Sequence, residues 1–289
     1  MPAANPAVVS VLGRDQKGVV ARICTYLAQH SVNIEQIDQN VMEGLFIMSM
    51  LVDLKDLDIN LDGLILDLKG IGSEMQMEVT IRLHGERSRK RVAVLVSKEP
   101  HCLEALVAAR NAGELDAEFP VVISNHPDLE PLATAAGIPF RWMPSTDKPA
   151  HMRFLMDELN AVRPDLVVLA RYMQVLTPEV TRVFANRVLN IHPSLLPYYP
   201  GANAYKQAYE AGIRVCGCTA HIVTEELDKG PIVLQDVFHI QVGEDSLETI
   251  KANGRALEAR VLTRAVQLFV RDELVVTDGK VLFRPGRVT

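Results

Sequence analysis

The chain has 289 residues, 48% hydrophobic and 23% charged, with a formal net charge of −6 at pH 7; this composition is that of a globular protein, and at roughly 150 residues per domain the length predicts about two domains. The acidic balance argues against nucleic-acid binding, which rests on Lys and Arg facing phosphate. No stretch approaches the about 18 apolar residues of a membrane span, and the opening MPAANPAVVSVL lacks the basic start of a signal peptide, so a cytoplasmic protein is expected.

In chain order, residues 7–14 read as a Val-rich strand, and Asp15-Gln16-Lys17-Gly18 turns the chain. Val19, Val20, Ile23 and Leu27 recur at helical spacing, which predicts a helix over 18–30. Two strands follow near 31–42 and 45–53, with Glu43-Gly44 as the hairpin turn. Leu61, Leu64, Ile65 and Leu68 mark a helix over 60–70, and residues 75–84 alternate as a half-buried strand. The order β-α-β-β-α-β is the ferredoxin-like arrangement. The first domain then spans 1–84, and a polar, basic linker spans 85–90, within the run Arg87–Arg91.

The second domain is 91–289. Apolar runs of strand length lie at 92–97, 119–124, 166–170 and 188–191, with helical stretches near 101–112, 128–136 and 148–162. Strands alternating with helices imply βαβ units and a parallel sheet. A long helix is predicted over 245–270, followed by two short strands around Asp278-Gly279. The four cysteines, Cys24, Cys102, Cys216 and Cys218, are few enough for free thiols in a reducing compartment. Cys216 and Cys218 read as two strand residues on one face, not as a redox or zinc pair.

The segment Asn190-Ile191-His192-Pro193-Ser194 carries the most chemistry. It follows a predicted strand, and open α/β sheets bind ligands at strand carboxyl ends. Asn190 and His192 are two apart, so on an extended backbone they point the same way. An amide donor beside an imidazole can stabilise an oxyanion and move a proton. Taken alone, a histidine beside a turn is also an ordinary structural feature. Asp228 lies in a turn between two strands, where a turn aspartate is equally ordinary.

Together, N-I-H-P-S and the D-x-G-x-I turn from Asp228 to Ile232 resemble the folate-dependent formyltransferase family. The 38-residue separation of Asn190 and Asp228 resembles that of the small glycinamide ribonucleotide transformylases. The resemblance implies Asn190, His192 and Asp228 as the catalytic trio, with His221 a neighbour of Asp228. The loop Arg171-Tyr172-Met173-Gln174-Val175-Leu176 resembles the family loop that folds over the pterin ring and reads it mainly through backbone groups. The first domain resembles ACT domains through Asp15, Gly18 and Val19 with Asn33 and Ile34; this implies a regulatory amino-acid site, with glycine or methionine as effector, and a homo-oligomer. The fold class expected is α/β: a ferredoxin-like (ACT) domain, then a Rossmann-like formyltransferase domain with a mostly parallel sheet.

Family membership leaves the formyl acceptor open. A phosphate-binding glycine turn is expected after the first strand of a transformylase, but Ser97-Lys98-Glu99-Pro100-His101-Cys102-Leu103 has no glycine. Pro100 removes a donor, and Glu99 adds negative charge. The S-K-x-x-H-C-L run, the ACT-like domain and Ala202–Tyr209 all resemble the formyltetrahydrofolate deformylases. The resemblance therefore implies a hydrolase releasing formate from 10-formyltetrahydrofolate, supplying formate for purine synthesis or one-carbon balance. No permanently bound cofactor and no metal are expected, because the His and Asp residues lack a compact ligand spacing. Two alternatives stand beside it. Pro193 sits where deformylases often carry a second histidine, which keeps transfer to glycinamide ribonucleotide as a second reading. A non-catalytic amino-acid sensor is the third. A Cys102 nucleophile is set aside, since His101 and Cys102 are adjacent and should diverge on a helix.

Overall fold

The structure is a computed structural model that describes residues 6–83, 89–198 and 204–284. It divides into two compact units, one built on the residues up to Ser88 and the other on Arg89–Phe283. Most of the expected 85–90 linker, and Ala202-Asn203, fall outside the described residues.

The first unit runs β1 (Pro6–Arg14), α1 (Val19–Gln29), β2 (Asn33–Met42), β3 (Leu45–Asp53), α2 (Leu61–Glu74) and β4 (Met77–Leu83). Its antiparallel sheet has the order β2-β3-β1-β4. The β2–β3 hairpin closes on Glu43 and Gly44 at φ 50° and 78°, the paired positive values that match the strands' twist. Val9 and Val11 of β1 face Val19, Ile23 and Leu27 of α1 and Leu64 and Leu68 of α2 in one core. α2 ends four residues later than its leucine stripe predicts. Gly72 allows the extension, since a Cβ there would meet Val79 Cγ2 at 2.6 Å.

The second unit begins with β5 (Lys90–Val96), α3 (His101–Asn111), β6 (Ala117–Glu118), β7 (Val122–Ser124), α4 (Glu130–Ala135), β8 (Phe140–Trp142), α5 (Lys148–Val162), β9 (Leu166–Ala170), α6 (Pro178–Val183) and β10 (Val188–His192). It continues through α7 (Ala204–Glu210), β11 (Val215–Ile222), β12 (Ile232–His239), α8 (Leu247–Val270) and the hairpin β13 (Leu274–Thr277) and β14 (Lys280–Phe283). The main sheet has the order β12-β11-β10-β9-β5-β7-β8. Strands β10 to β8 pair in parallel, and β11 and β12 add antiparallel.

Two expectations are corrected here. Lys90 opens β5 and is ion-paired to Asp272 at 3.3 Å, while Arg89 and Arg91 pair with Asp116 and Glu118. This end of the basic run is therefore part of the second unit and not a solvated linker. The run 119–124 is a strand only over Val122–Ser124; Phe119–Val121 lie outside any strand, where Pro120 has no N–H to give a ladder. β8 and α7 escaped the sequence reading, being three and seven residues long.

Side chains of β5 alternate between two cores. Val92, Val94 and Val96 join α3 and α8, while Ala93 and Leu95 join α5. A parallel sheet covered on both faces requires this near-continuous apolar strand. No helix among the described residues is long and apolar enough to cross a membrane. Leu262 of α8 is fully buried in the first of these cores. Leu262→Ala should therefore cost about 2–5 kcal/mol, read as a lower urea midpoint at unchanged slope.

Candidate active site

The site begins where the apolar strands end. β10 closes on Asn190, Ile191 and His192, and its antiparallel partner β11 sets His221 directly opposite Asn190 and Thr219 opposite His192. Register therefore brings together residues that are distant in sequence. His221 Nδ1 lies 3.0 Å from the Ile222 carbonyl, so this nitrogen carries the proton. Burial is the main cause that holds the His221 pKa down, so the ring is neutral and its Nε2 is an acceptor. Asn190 Nδ2 donates to that nitrogen at 3.1 Å. The amide is thereby oriented, and its second N–H can serve a ligand oxygen.

Asp228 reaches the same group from the β11–β12 turn. Its Oδ2 is 3.4 Å from His192 Nδ1, and its Oδ1 is 3.8 Å from His221 Nε2. Asp228 holds φ 55°, a left-handed conformation that Asp adopts more readily than most side chains. Gly230 closes the turn so tightly that a Cβ would stand 1.8 Å from the Ile222 carbonyl oxygen. The expected trio thus converges in the structure. His221 lies within reach of Asp228, as expected, but its shorter contact is to Asn190.

The loop after His192 is tied down by Thr219, which sequence reading passed over. Its hydroxyl donates to the Ser194 carbonyl at 2.7 Å and accepts from Leu196 N at 3.0 Å and Gln235 Nε2 at 2.9 Å. No local sequence pattern marks Thr219, because its place opposite His192 depends on strand register. The loop 171–176 is also pinned. Met173 N donates to Ser97 Oγ at 3.0 Å, and Ser97 Oγ bonds Asn125 at 2.6 Å. Tyr172 and Leu176 are buried in a core, and Tyr172 hydrogen-bonds the buried His151. Met173 and Val175 are exposed, and Gln174 is half-buried. This leaves the backbone as the loop's main polar surface.

At the start of α3 the structure departs from expectation. Glu99, thought to oppose a phosphate, sits 3.7 Å from His101 Nδ1. A different acid dominates: Glu258 of α8, 1% exposed, receives hydrogen bonds from His101 Nε2 at 3.1 Å and from the Tyr205 hydroxyl at 2.8 Å. Arg171 Nε stands 3.4 Å from it. Burial works to raise the Glu258 pKa, but these partners outweigh it and hold the carboxyl below its usual range. His101 and Cys102 do not diverge as expected; their ligand atoms and that of Glu258 lie within 4.8 Å of one another. Burial and the Glu258 charge push the Cys102 thiol well up, so it is a poor nucleophile, and Arg171 opposes a cation among the three.

The expected regulatory residues of the first unit do not meet. Asp15, Gly18 and Val19 follow the carboxyl end of β1, whereas Asn33 and Ile34 open β2 beside Asp53 and hence Pro6. At about 3.3 Å per residue these ends are roughly 26 Å apart.

Residues 90–266 match the Formyl transferase family and residues 5–82 the ACT domain. The formyltetrahydrofolate deformylase of Bacillus subtilis (strain 168) is 37% identical over 273 residues, which are 93% of this chain and 90% of that protein. The crystal structure of a formyltetrahydrofolate deformylase from Pseudomonas syringae pv. tomato str. DC3000 is 34% identical, with a TM-score of 0.87 over 98% of this chain and 95% of its own. Glycinamide ribonucleotide transformylase 1 from Symbiobacterium toebii is 36% identical with a TM-score of 0.65, matching 96% of its own chain but 70% of this one. Fold and site thus define a formyl transferase domain carrying an ACT domain. More narrowly, the chain belongs to the formyltetrahydrofolate deformylase family.

His221 makes stability pH-dependent. Its folded pKa is below the ordinary 6.5, so the unfolded state binds more protons. Its contribution is complete above that ordinary value and is lost as pH falls toward the folded value. Urea denaturation between about pH 5.5 and pH 7.5 should show stability rising with pH. His221→Gln should flatten the slope by up to about 1.4 kcal/mol per pH unit, the limit for one proton.

Proposed function

We propose that this chain hydrolyses 10-formyltetrahydrofolate to formate and tetrahydrofolate through Asn190, His192 and Asp228. The observation that carries the reading is the convergence of these three at the carboxyl end of β10, with His221 orienting the amide. The formyl group lies between Asn190 and His192. Asp228 orients the attacking water and holds the Nδ1 proton of His192. Water adds to the formyl carbon, and the oxyanion is stabilised by the Asn190 N–H and by protonated His192. The attacking water gives its proton to Asp228, the bond from carbon to N10 breaks as N10 takes a proton from His192, and formate leaves. The backbone of 171–176 reads the pterin ring.

Transfer to glycinamide ribonucleotide is the weaker reading. Pro193 favours it, but the acidic, glycine-free start of α3 opposes a phosphate. The sensor reading is weaker still, since an idle site has no need of an oriented Asn190 with His192 and Asp228 beside it. The formate released would supply purine synthesis or one-carbon balance. The four cysteines are free, as the reducing cytoplasm would keep them.

Incubation of the purified chain with 10-formyltetrahydrofolate alone should release formate. Asn190→Ala should lose about 10²–10³ in turnover, the usual cost of one oxyanion donor. Asp228→Asn should lose at least as much while folate binding stays nearly intact. Full activity in either variant would remove that residue from the mechanism.

Residues 1–84 act as the regulatory domain in this reading, with glycine or methionine as effector. Because Asp15–Val19 and Asn33-Ile34 lie at opposite ends of one sheet, a single site would join one end from each of two copies. The ten-residue edge strand β2, with Ile37 and Val41 exposed, suits such pairing. Light scattering should find a homo-oligomer, and calorimetry should find saturable binding of one of the two amino acids. A monomer that binds neither would leave the domain without this role.

A further inference from the structure

The loop 171–176 leaves the sheet beside the catalytic strand: Leu169 is level with Asn190 in the parallel β9–β10 pair, and β9 ends one residue later at Ala170. Arg171 makes the exit at φ 62°, a left-handed conformation that a side chain keeps only where its surroundings hold it. Among the described residues, Met173 N is the one backbone group of 172–176 that hydrogen-bonds to the protein, and its acceptor is the Ser97 side chain at 3.0 Å. The other backbone groups are left for a ligand. The shape of the loop therefore depends on side-chain anchors.

Tyr172 is the second anchor. Its ring is buried in the core that α5 shares with the sheet, and its phenol hydrogen-bonds His151 Nε2. His151 is fully buried at the start of α5, a helix capped by the Asp147 side chain, which accepts from Ala150 N at 3.0 Å. Burial keeps the imidazole neutral against the pull of the Met143 carbonyl, and the positive end of α5 acts in the same sense as burial. Nδ1 has no hydrogen-bond partner. An apolar side chain would fill this place in the core at less cost, so what the imidazole adds is its bond to Tyr172.

We propose that His151 is a positioning residue for the folate: through the Tyr172 phenol, and with Ser97 as the other anchor, it holds the 171–176 backbone in the shape that receives the pterin ring, a role that rests on the folate reading of this loop given above. The peptide joining Tyr172 to Met173 is then tied on both sides, by the phenol of one residue and the N–H of the next. Asn125 steadies the Ser97 end, accepting from Ser97 Oγ at 2.6 Å. A ligand read by backbone groups needs them fixed beforehand, because any ordering left until binding weakens affinity. Chemistry at Asn190, His192 and Asp228 does not use His151, so its loss should weaken binding and spare turnover.

The test uses the full chain and tetrahydrofolate, so that binding is read without turnover. By calorimetry, His151→Phe and Tyr172→Phe should each raise the Kd for tetrahydrofolate about tenfold. The double variant should bind no more weakly than either single one, because both remove the same bond. With 10-formyltetrahydrofolate, KM should rise by a similar factor while kcat at saturation stays within about twofold of native. His151→Gln, whose amide can stand where Nε2 stands, should recover most of the affinity. Tyr172→Phe loses one oxygen from a buried ring, and it decides the matter alone where His151→Phe does not fold. A folded variant that binds tetrahydrofolate as the native chain does would overturn the proposal. So would losses that add in the double variant, or a fall in kcat at unchanged KM, which is the mark of a merely destabilised enzyme. A native chain that binds tetrahydrofolate but releases no formate removes the hydrolase reading instead, and calorimetry still decides what His151 does. A native chain that does not bind tetrahydrofolate removes the folate reading of the loop and this role with it.

Discussion

The second unit depends on one constraint: its central strands are buried on both faces. Every residue from Val92 to Val96 and from Leu166 to Ala170 must therefore be apolar and must find a neighbour in one of two cores. Polar chemistry is excluded from the strands and appears where they run out. Ser97 follows β5, Asn125 follows β7, Arg171 follows β9, and His192 ends β10. The Ser97–Asn125 hydrogen bond joins two of these first polar residues, while Ser97 also accepts from Met173 N and Arg171 pairs with Glu258 of α8. The location of the site is thus a consequence of core packing before it is a matter of catalysis.

The antiparallel edge supplies what the parallel strands cannot. β11 runs against β10, so His221, which comes 31 residues after Asn190, lies level with it. The same reversal ends β11 beside Val188 and Leu189, so the turn bearing Asp228 leaves from the amino end of β10 and reaches back to His192. Two histidines then have opposite electrostatic settings. His221 is neutral, spending one nitrogen on a backbone carbonyl and the other on an amide. His192 has its Nδ1 beside a carboxylate. That division lets a single carboxylate serve the acid–base group while a neutral ring aligns the amide.

Much of this was legible in the amino-acid order, and the rest was hidden for identifiable reasons. The valine runs, the Glu43-Gly44 and Asp278-Gly279 turns and the leucine stripes follow from local periodicity, and they appear where periodicity puts them. Asn190, His192 and Asp228 were found through a motif, but their meeting depends on strand register, which no single segment reveals. Short elements such as β6 and β8 offer too few residues for a period to show. The linkage of Thr219 to the 194–196 backbone was invisible for the same reason as the Asn190–His221 pair. Glu258 is different: an acid among Gly254, Leu257, Val261 and Leu262 was visible as an anomaly, and the apolar rhythm of the helix drew attention away from it.

α8 carries a last consequence. It is a 24-residue helix, about 36 Å long at 1.5 Å per residue. On one face it sets Leu257, Val261, Leu262, Ala265 and Val266 into the sheet core, and from the same face it extends Glu258 to Arg171. A rigid rod has few ways to move one part alone. Repacking beneath Val266 would be transmitted along the axis as a small displacement of the carboxylate, two turns away. In a library of random substitutions, α8 should therefore not separate cleanly into positions that matter for folding and positions that matter for chemistry; the two phenotypes should be correlated along its inner stripe.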